Sequence, residues 1–293
     1  MDEQEWLAQQ FEGHRTRLRA VAYRMLGSLS EADDAVQDAW LRFSRADPSG
    51  IENLGGWLTT VVARVSLNML RSRASRREQS LGPYVPEPII DPADGTDPEH
   101  EALLADSVGL ALLVVLETLA PAERLAFVLH DLFAVPFDEI AAIVERSPEA
   151  TRQLASRARR RVRGSAPTPD VDLAIQWEVV EAFLAAARDG DFDALVAVLD
   201  PDVVLRADGG PVLSRVSREV RGAETVAGQA LMWSRVGLTM QRALINGAAG
   251  LVSSRDGQPF SVGAFTIRGR KIVELDFLAD PARLRQLDLT VLD

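Results

Sequence analysis

The 293-residue chain has no cysteine. This excludes disulfides, thiolate nucleophiles and the usual zinc clusters together. Histidine is scarce, with only His14, His100 and His130, all in the first half. A His–Asp catalytic pair is therefore impossible in the C-terminal part. Lysine occurs once, at Lys271, so arginine carries the basic charge. No apolar run approaches the ~20 residues of a membrane span. The longest, Leu110 to Leu116, is closed by Glu117, and the acidic start from Met1 to Trp6 lacks an export signal's basic and apolar segments. The expectation is a cytoplasmic protein with no membrane contact, no metal and no cofactor.

The net charge of −11 argues by itself against nucleic-acid binding. Its distribution argues the other way. Residues 147–165 hold six arginines against the single acid Glu149, whereas residues 81–100 hold five acids and no lysine or arginine. The field close to a surface is set within about a Debye length, ~8–10 Å, so a local arginine cluster can meet DNA on an acidic protein.

Pattern and punctuation divide the chain. Residues 1–78 read as helices, one starting at an expected N-cap Ser30 and another running from about Gly56 to Arg77. Residues 79–99 contain Pro83, Pro86, Pro88, Pro92 and Pro98 and are expected to be an acidic linker without regular structure. Residues 100–164 are helical again, and 165–170 form a second linker. Residues 171–293 change character, with a helix to about Arg188 followed by strands at Val203–Arg206, Leu238–Ile245, Gly250–Ser254, Phe260–Arg268 and Lys271–Phe277. The expected fold class is multidomain, two all-α domains joined by a proline-rich linker and followed by an α+β domain.

Three helical surfaces carry chemistry. On the helix from Ala32 to Arg45, Ala32, Val36, Ala39, Trp40 and Phe43 form the core stripe, and Asp34, Gln37, Asp38 and Leu41 face away from it. An exposed leucine among acids hints at a partner surface. On the next helix, Leu58, Val61, Val62, Val65 and Met69 point inward. Beside them run Trp57, Thr60, Arg64, Asn68 and Arg71, followed by Arg73. Cations for phosphates, a ring for stacking and an amide for a base edge suit unpaired DNA, although a solvated basic helix with a core tryptophan has the same pattern. In the third, a short helix from Phe137 to Val144 breaks at Glu145-Arg146. Ser147-Pro148 then gives an N-cap and a first-turn proline. Leu154, Ala158 and Val162 face inward on the new helix, with Glu149, Arg152, Gln153, Ser156, Arg159, Arg160 and Arg163 outward. Two short helices with an arginine-rich second one describe a helix-turn-helix.

In this order the surfaces resemble the extracytoplasmic-function sigma-70 factors. The run Phe11 to Gly27 resembles their region 2.1, Asp33 to Phe43 their region 2.2, and Gly56 to Arg71 their regions 2.3 and 2.4. Leu119 to Asp131, with the helix-turn-helix behind it, resembles region 4. The resemblance implies that Asp34, Gln37, Asp38 and Leu41 bind the β′ clamp helices of RNA polymerase core, with the β flap as a further partner. It implies that Trp57, Arg64, Asn68, Arg71 and Arg73 contact the −10 element of promoter DNA. It assigns −35 contacts to Glu149, Arg152, Gln153, Ser156, Arg157 and Arg160. Tyr84-Val-Pro-Glu-Pro88 is similar to the linker motif of those members that carry a fused SnoaL-like domain of nuclear-transport-factor-2-like fold. Asp208-Gly-Gly-Pro211 resembles a second motif of that subgroup but lacks its lysine, and Ala279 to Leu284 resembles a third imperfectly. Regulatory contacts are thereby implied for Tyr84, Pro86, Glu87, Pro88, Asp208, Gly209, Gly210, Asp280 and Pro281, with no separate anti-sigma protein required.

Two other readings compete. Relatives of such a C-terminal domain include cyclases and isomerases that use a buried carboxylate as base, for which Asp208 and Asp276 are candidates, and the domain could instead sense a small molecule. No catalytic residue is assigned. An ordinary helix-turn-helix repressor would explain neither the acidic helix nor the Trp57–Arg77 face.

Overall fold

The structure is a computed structural model. It describes all residues except 1–2, 47–49, 78–81, 105–108, 166–171, 288 and 290–293. Most of the second expected linker therefore lies outside the described residues. The chain divides into two compact units. Met1–Gln79, Glu99–Asp106 and Val115–Ser165 form one, and Ser80–Pro98, Ser107–Val114 and Ala166–Asp293 form the other.

The first unit is helical. Helices α1 (Glu3–Leu26), α2 (Leu29–Phe43) and α3 (Leu54–Arg77) pack on one another through Leu7, Phe11, Leu18, Val21, Val36, Phe43, Leu58, Val62 and Leu70. The N-cap of α2 is Ser28, not Ser30. Its hydroxyl accepts from the Glu31 amide at 3.3 Å, because Gly27 with φ 66° turns the chain two residues earlier than the acidic first turn suggests. After α4 (Pro98–Leu104) and α5 (Leu110–Glu117) come α6 (Pro121–Phe127), a π-helical turn at Val128–Leu132, α7 (Phe137–Val144) and α8 (Pro148–Ser165). The break after α7 is Glu145 in the left-handed region, φ 58° and ψ 48°, a C-cap geometry more often given to glycine.

The two helical blocks do not stand apart within this unit. Helix α3 packs on α6 and α7. The buried Arg124 bridges them, donating to the Arg24 carbonyl at 3.2 Å and to Glu117 at 2.5 Å. Arg17 and Arg24 lie over the Phe133 ring at 5.9 and 5.1 Å.

The second unit is a seven-stranded sheet with helices packed against it. Its helices are α9 (Leu173–Asp189), α10 (Phe192–Val198), α11 (Ala223–Ser234) and the short α12 (Pro281–Leu284). The strands are β1 (Ile90–Pro92), β2 (Leu199–Asp208), β3 (Arg218–Arg221), β4 (Thr239–Ile245), β5 (Ala248–Arg255), β6 (Gln258–Arg268) and β7 (Lys271–Leu278). The order is β1-β4-β5-β6-β7-β2-β3, antiparallel except for the β2–β7 pair. Trp177, Val180, Phe183, Leu195, Leu205, Leu251, Phe265 and Leu275 form its core.

The segment expected to be an irregular linker is irregular over residues 82–89, but its next three residues correct the sequence reading. Residues 90–92 are strand β1, with Ile90 opposite Ile245 and Pro92 opposite Ala243. An edge strand such as β4 has unpaired backbone groups that another extended segment can satisfy. Proline fits there because extended φ suits it and an edge position spares its missing donor. Val85, Ile89 and Ile90 are buried as well.

Candidate nucleic-acid interface

On α2, Asp34, Gln37 and Leu41 are exposed, Leu41 at 42%. Asp38 pairs with Arg42 one turn along at 2.8 Å. Asp33 is held by both arms of Arg19, at 2.7 and 3.1 Å. The open acidic and apolar edge of the helix is therefore Asp34, Gln37 and Leu41, with Asp38 half neutralised by its own helix.

On α3, Arg64, Asn68 and Arg71 are exposed along one edge. A polar cleft with about 660 Å³ of empty space, its open side included, is lined by α2 and α3 through Glu31, Asp38, Arg42, Asn68 and Ser72. Arg64 reaches the Ala142 carbonyl of α7 at 3.4 Å. Two residues assigned to the −10 element are placed otherwise. Arg73 is largely buried, donates to the Leu26 carbonyl at 2.9 Å, pairs with Glu31 and lies 3.8 Å from Glu117. Its guanidinium ties α3 to α1, α2 and α5, which removes it from the DNA-facing set. Trp57 is half-buried and packs at 6.0 Å on Phe43, in an aromatic cluster with Trp40 and Phe11. It packs at the edge of the core and keeps part of its surface exposed.

Helix α8 begins where the Ser147 hydroxyl accepts from the Ala150 amide at 3.2 Å. Hydrogen bonds at this helix start, from backbone and from Ser147, hold the Glu149 carboxyl below its ordinary pKa, as an acid in a first turn should be. The arginines of α8 divide into two groups. Arg157 pairs with Glu123 at 2.6 Å, Arg159 with Asp131 at 2.5 Å, and Arg161 donates to the Thr118 carbonyl at 3.0 Å. All three reach back to the elements behind the helix; Arg159 is half-buried, which corrects its assignment to the outer face, whereas Arg157 stays exposed beside its partner. Arg152, Gln153, Ser156, Arg160 and Arg163 point to solvent, with Arg152 also 5.6 Å over the Phe137 ring.

In the second unit the residues expected to make regulatory contacts come together as a clamp on the proline segment. Asp208 is buried at the end of β2. One carboxylate oxygen accepts from the Val85 amide at 3.0 Å and from Arg283 at 2.8 Å, and the other accepts from the Gly210 amide at 3.0 Å. Arg283 also donates to the Val85 carbonyl at 2.6 Å, lies 3.6 Å from Glu87 and covers the Tyr84 ring at 4.5 Å. Pro86, Glu87 and Pro88 are buried. Gly209 donates to Ser217 at 3.0 Å, and Asp280 caps α12 ahead of Pro281. Gly210 sits at φ 61°, and a Cβ there would lie 2.2 Å from an Asp280 oxygen, so glycine is required. Farther along, Asn246 accepts from the Ile89 amide at 3.1 Å and returns its own amide to the Ile89 carbonyl at 2.8 Å. The sequence reading missed Arg283, Ser217 and Asn246. The signal for Arg283 was available, because two buried acids in one constellation require a cation and the second motif lacked its lysine.

Asp276, considered as a catalytic base, lies on the sheet face away from the domain's cavity. Arg206 binds it at 3.1 Å and Glu274 at 3.3 Å, with Glu219 at 3.3 Å on its outer side. Burial, and then the neighbouring Asp276, push the Glu274 carboxyl up to about 7. Burial also raises Asp276, against the opposing pull of Arg206. Asp208 is fully engaged by the clamp. Among the described residues no cluster of three or more metal-ligating side chains occurs, and no helix is long and apolar enough to cross a membrane.

Comparison with known proteins bears on these surfaces. The Sigma-70 region 2 family matches residues 10–76, and the Sigma-70 region 4 family matches residues 109–162. The chain is 40% identical over 288 residues to the ECF RNA polymerase sigma factor SigJ of Mycobacterium tuberculosis, covering 93% of this chain and 91% of that protein. It is 34% identical to a probable ECF RNA polymerase sigma factor, SigI, of the same species, covering 94% of each. The crystal structure of Mycobacterium tuberculosis SigJ superposes with a TM-score of 0.77 at 37% identity, covering 96% of this chain and 99% of that one.

Proposed function

The chain belongs to the extracytoplasmic-function sigma-70 family of RNA polymerase sigma factors, and from that premise we propose how its surfaces divide the work of initiation. Asp34, Gln37, Asp38 and Leu41 dock on the β′ clamp helices of core polymerase. Arg64, Asn68 and Arg71 line the face that takes up unpaired −10 bases beside the cleft between α2 and α3. Unstacking costs a few kcal/mol per step, which stacking and phosphate contacts offset. Helix α8 enters the −35 major groove, where Arg152 and Gln153 reach base edges and Arg160 and Arg163 hold phosphates.

The regulatory part of the proposal rests on one observation, the grip of Asp208 and Arg283 on Val85. The proline segment joins the two sigma domains along the chain, and the C-terminal nuclear-transport-factor-2-like domain holds it by its backbone. A change in that grip changes the effective length and stiffness of the tether between the two DNA-reading helices. The domain thus acts from within the chain where other sigma factors use a separate anti-sigma protein. Its curated relatives are sigma factors, and its two candidate carboxylates are engaged by arginines, which favours regulation over catalysis.

The test is binding and promoter selection by point variants of the full chain. Arg152→Ala should lose discrimination at the −35 element by roughly 1–3 kcal/mol while core-polymerase affinity stays unchanged. Asp34→Ala combined with Leu41→Ala should do the reverse. Equal loss of both properties in each variant would overturn the division of roles.

A further inference from the structure

The C-terminal sheet and the helices over it enclose a cavity of about 110 Å³. Protein interiors are normally packed nearly free of such space, because an apolar wall without partners forfeits its dispersion contacts. The lining includes Phe183, Trp233, Phe265, Leu275 and Phe277 and contains no ionisable side chain. Strand parity explains why. On β7, Leu275 and Phe277 face the cavity, so Glu274 and Asp276 project to the opposite face, as Arg206 does between Leu205 and Ala207 on β2. The closeness of the wall is built in, since a Cβ at Gly263 would lie 2.4 Å from the Phe277 ring.

Three serines interrupt this surface, and one of them, Ser234, donates its hydroxyl proton to the Leu231 carbonyl at 3.0 Å. Ser253 and Ser261, cross-strand partners on β5 and β6, are both buried and share a hydrogen bond of 2.6 Å between their hydroxyls. One of the two hydroxyl protons is used within the pair, and the other, with only the Ser261 carbonyl at a long 3.4 Å from Ser253 Oγ as a rival acceptor, is left with the free lone pairs to meet one further oxygen-bearing group. A charged group entering this cavity would lose its hydration with no counter-ion, whereas a hydroxyl or carbonyl would find the serines.

We propose that this cavity is a binding site for a neutral, predominantly apolar small molecule carrying a single hydroxyl or carbonyl oxygen, seated against Ser253 and Ser261. The site would exist whether or not the linker clamp regulates initiation, so it can be tested without polymerase. The full chain is titrated with the neutral fluorophore N-phenyl-1-naphthylamine, which is then displaced by 1-decanol or by decanoate at pH 8. Saturable binding of one fluorophore per chain is expected, with displacement by decanol at least tenfold more effective than by decanoate. Ala230→Trp, which fills the cavity, should weaken fluorophore binding at least tenfold, and Ser253→Ala should weaken decanol several-fold more than the fluorophore. Absence of one-to-one binding, equal displacement by the carboxylate, or undiminished binding to a folded Ala230→Trp protein would each overturn the proposal. If that variant does not fold, the alcohol-versus-carboxylate comparison on the unaltered chain decides alone.

Discussion

Arg283 shows how much can rest on one side chain. It neutralises Asp208 and Glu87, donates to the Val85 carbonyl and stacks on Tyr84. Removing one partner of a buried pair leaves an uncompensated charge, at a cost of about 3–5 kcal/mol. Arg283→Ala should therefore lower the stability of the C-terminal unit by that amount in urea unfolding, and a loss under 1 kcal/mol would mean the clamp is loose. Glu274 gives a prediction in pH. Its folded pKa of about 7 lies above the ordinary value of 4.5, so the folded state holds the proton more tightly than the unfolded chain. The stability this confers is fully present below about 4.5 and is lost as pH rises through 7. Glu274→Gln keeps the hydrogen bond to Arg206 without the charge. Its melting temperature should match the parent near pH 5 and exceed it at pH 8, and parallel curves would refute the shift. Positions of this kind were only partly legible in sequence. Asp208, Gly210 and Asp280 stand in motifs, but Arg283 and Asn246 gain their partners in the proline segment from residues more than 150 positions away, which no local pattern encodes.

Among the elements, those with sustained period were readable and those with mixed signals were not. Helices α7 and α8 follow from apolar spacing and the Ser147-Pro148 start, and their observed bounds agree with the pattern. Strand β1 was hidden by its prolines, because its extended form is stabilised by the edge of β4 and by burial of Ile89 and Ile90, not by its own propensity. Strand β3, Arg-Glu-Val-Arg, was hidden by charge. On α8, periodicity separated inner from outer residues but could not foretell that Asp131 and Glu123 would draw Arg159 and Arg157 to the protein. That division carries its own prediction. Arg160→Ala with Arg163→Ala should reduce the salt dependence of promoter-duplex binding by about two phosphate contacts, whereas Arg159→Ala, whose side chain is half-buried against Asp131, should leave the slope nearly unchanged. Equal salt slopes for all three proteins would contradict it. The strands that wall the cavity also hold the linker, since Ala207 and Ala279 line it and the next residues are Asp208 and Asp280. Bound decanol should accordingly alter hydrogen exchange at the Val85 and Ile89 amides before it alters exchange elsewhere in the linker.

For the whole molecule, a net charge of −11 accompanies a sigma-factor fold, and the proposed reading reconciles the two by leaving arginines such as Arg160 and Arg163 to solvent while others, such as Arg124 and Arg159, meet the protein's own acids. The segment joining the sigma domains belongs to the C-terminal unit, which is the ground for proposing that this unit takes part in initiation. The most direct measurement is run-off transcription by core polymerase with the full chain, its Arg283→Ala variant and no added factor. The account predicts discrete products from templates sharing −10 and −35 elements with the full chain, and a change of several-fold in yield with the clamp variant at equal core binding. Products no different from core polymerase alone would contradict the assignment of these surfaces, and equal yields from the two proteins would contradict the role given to the clamp.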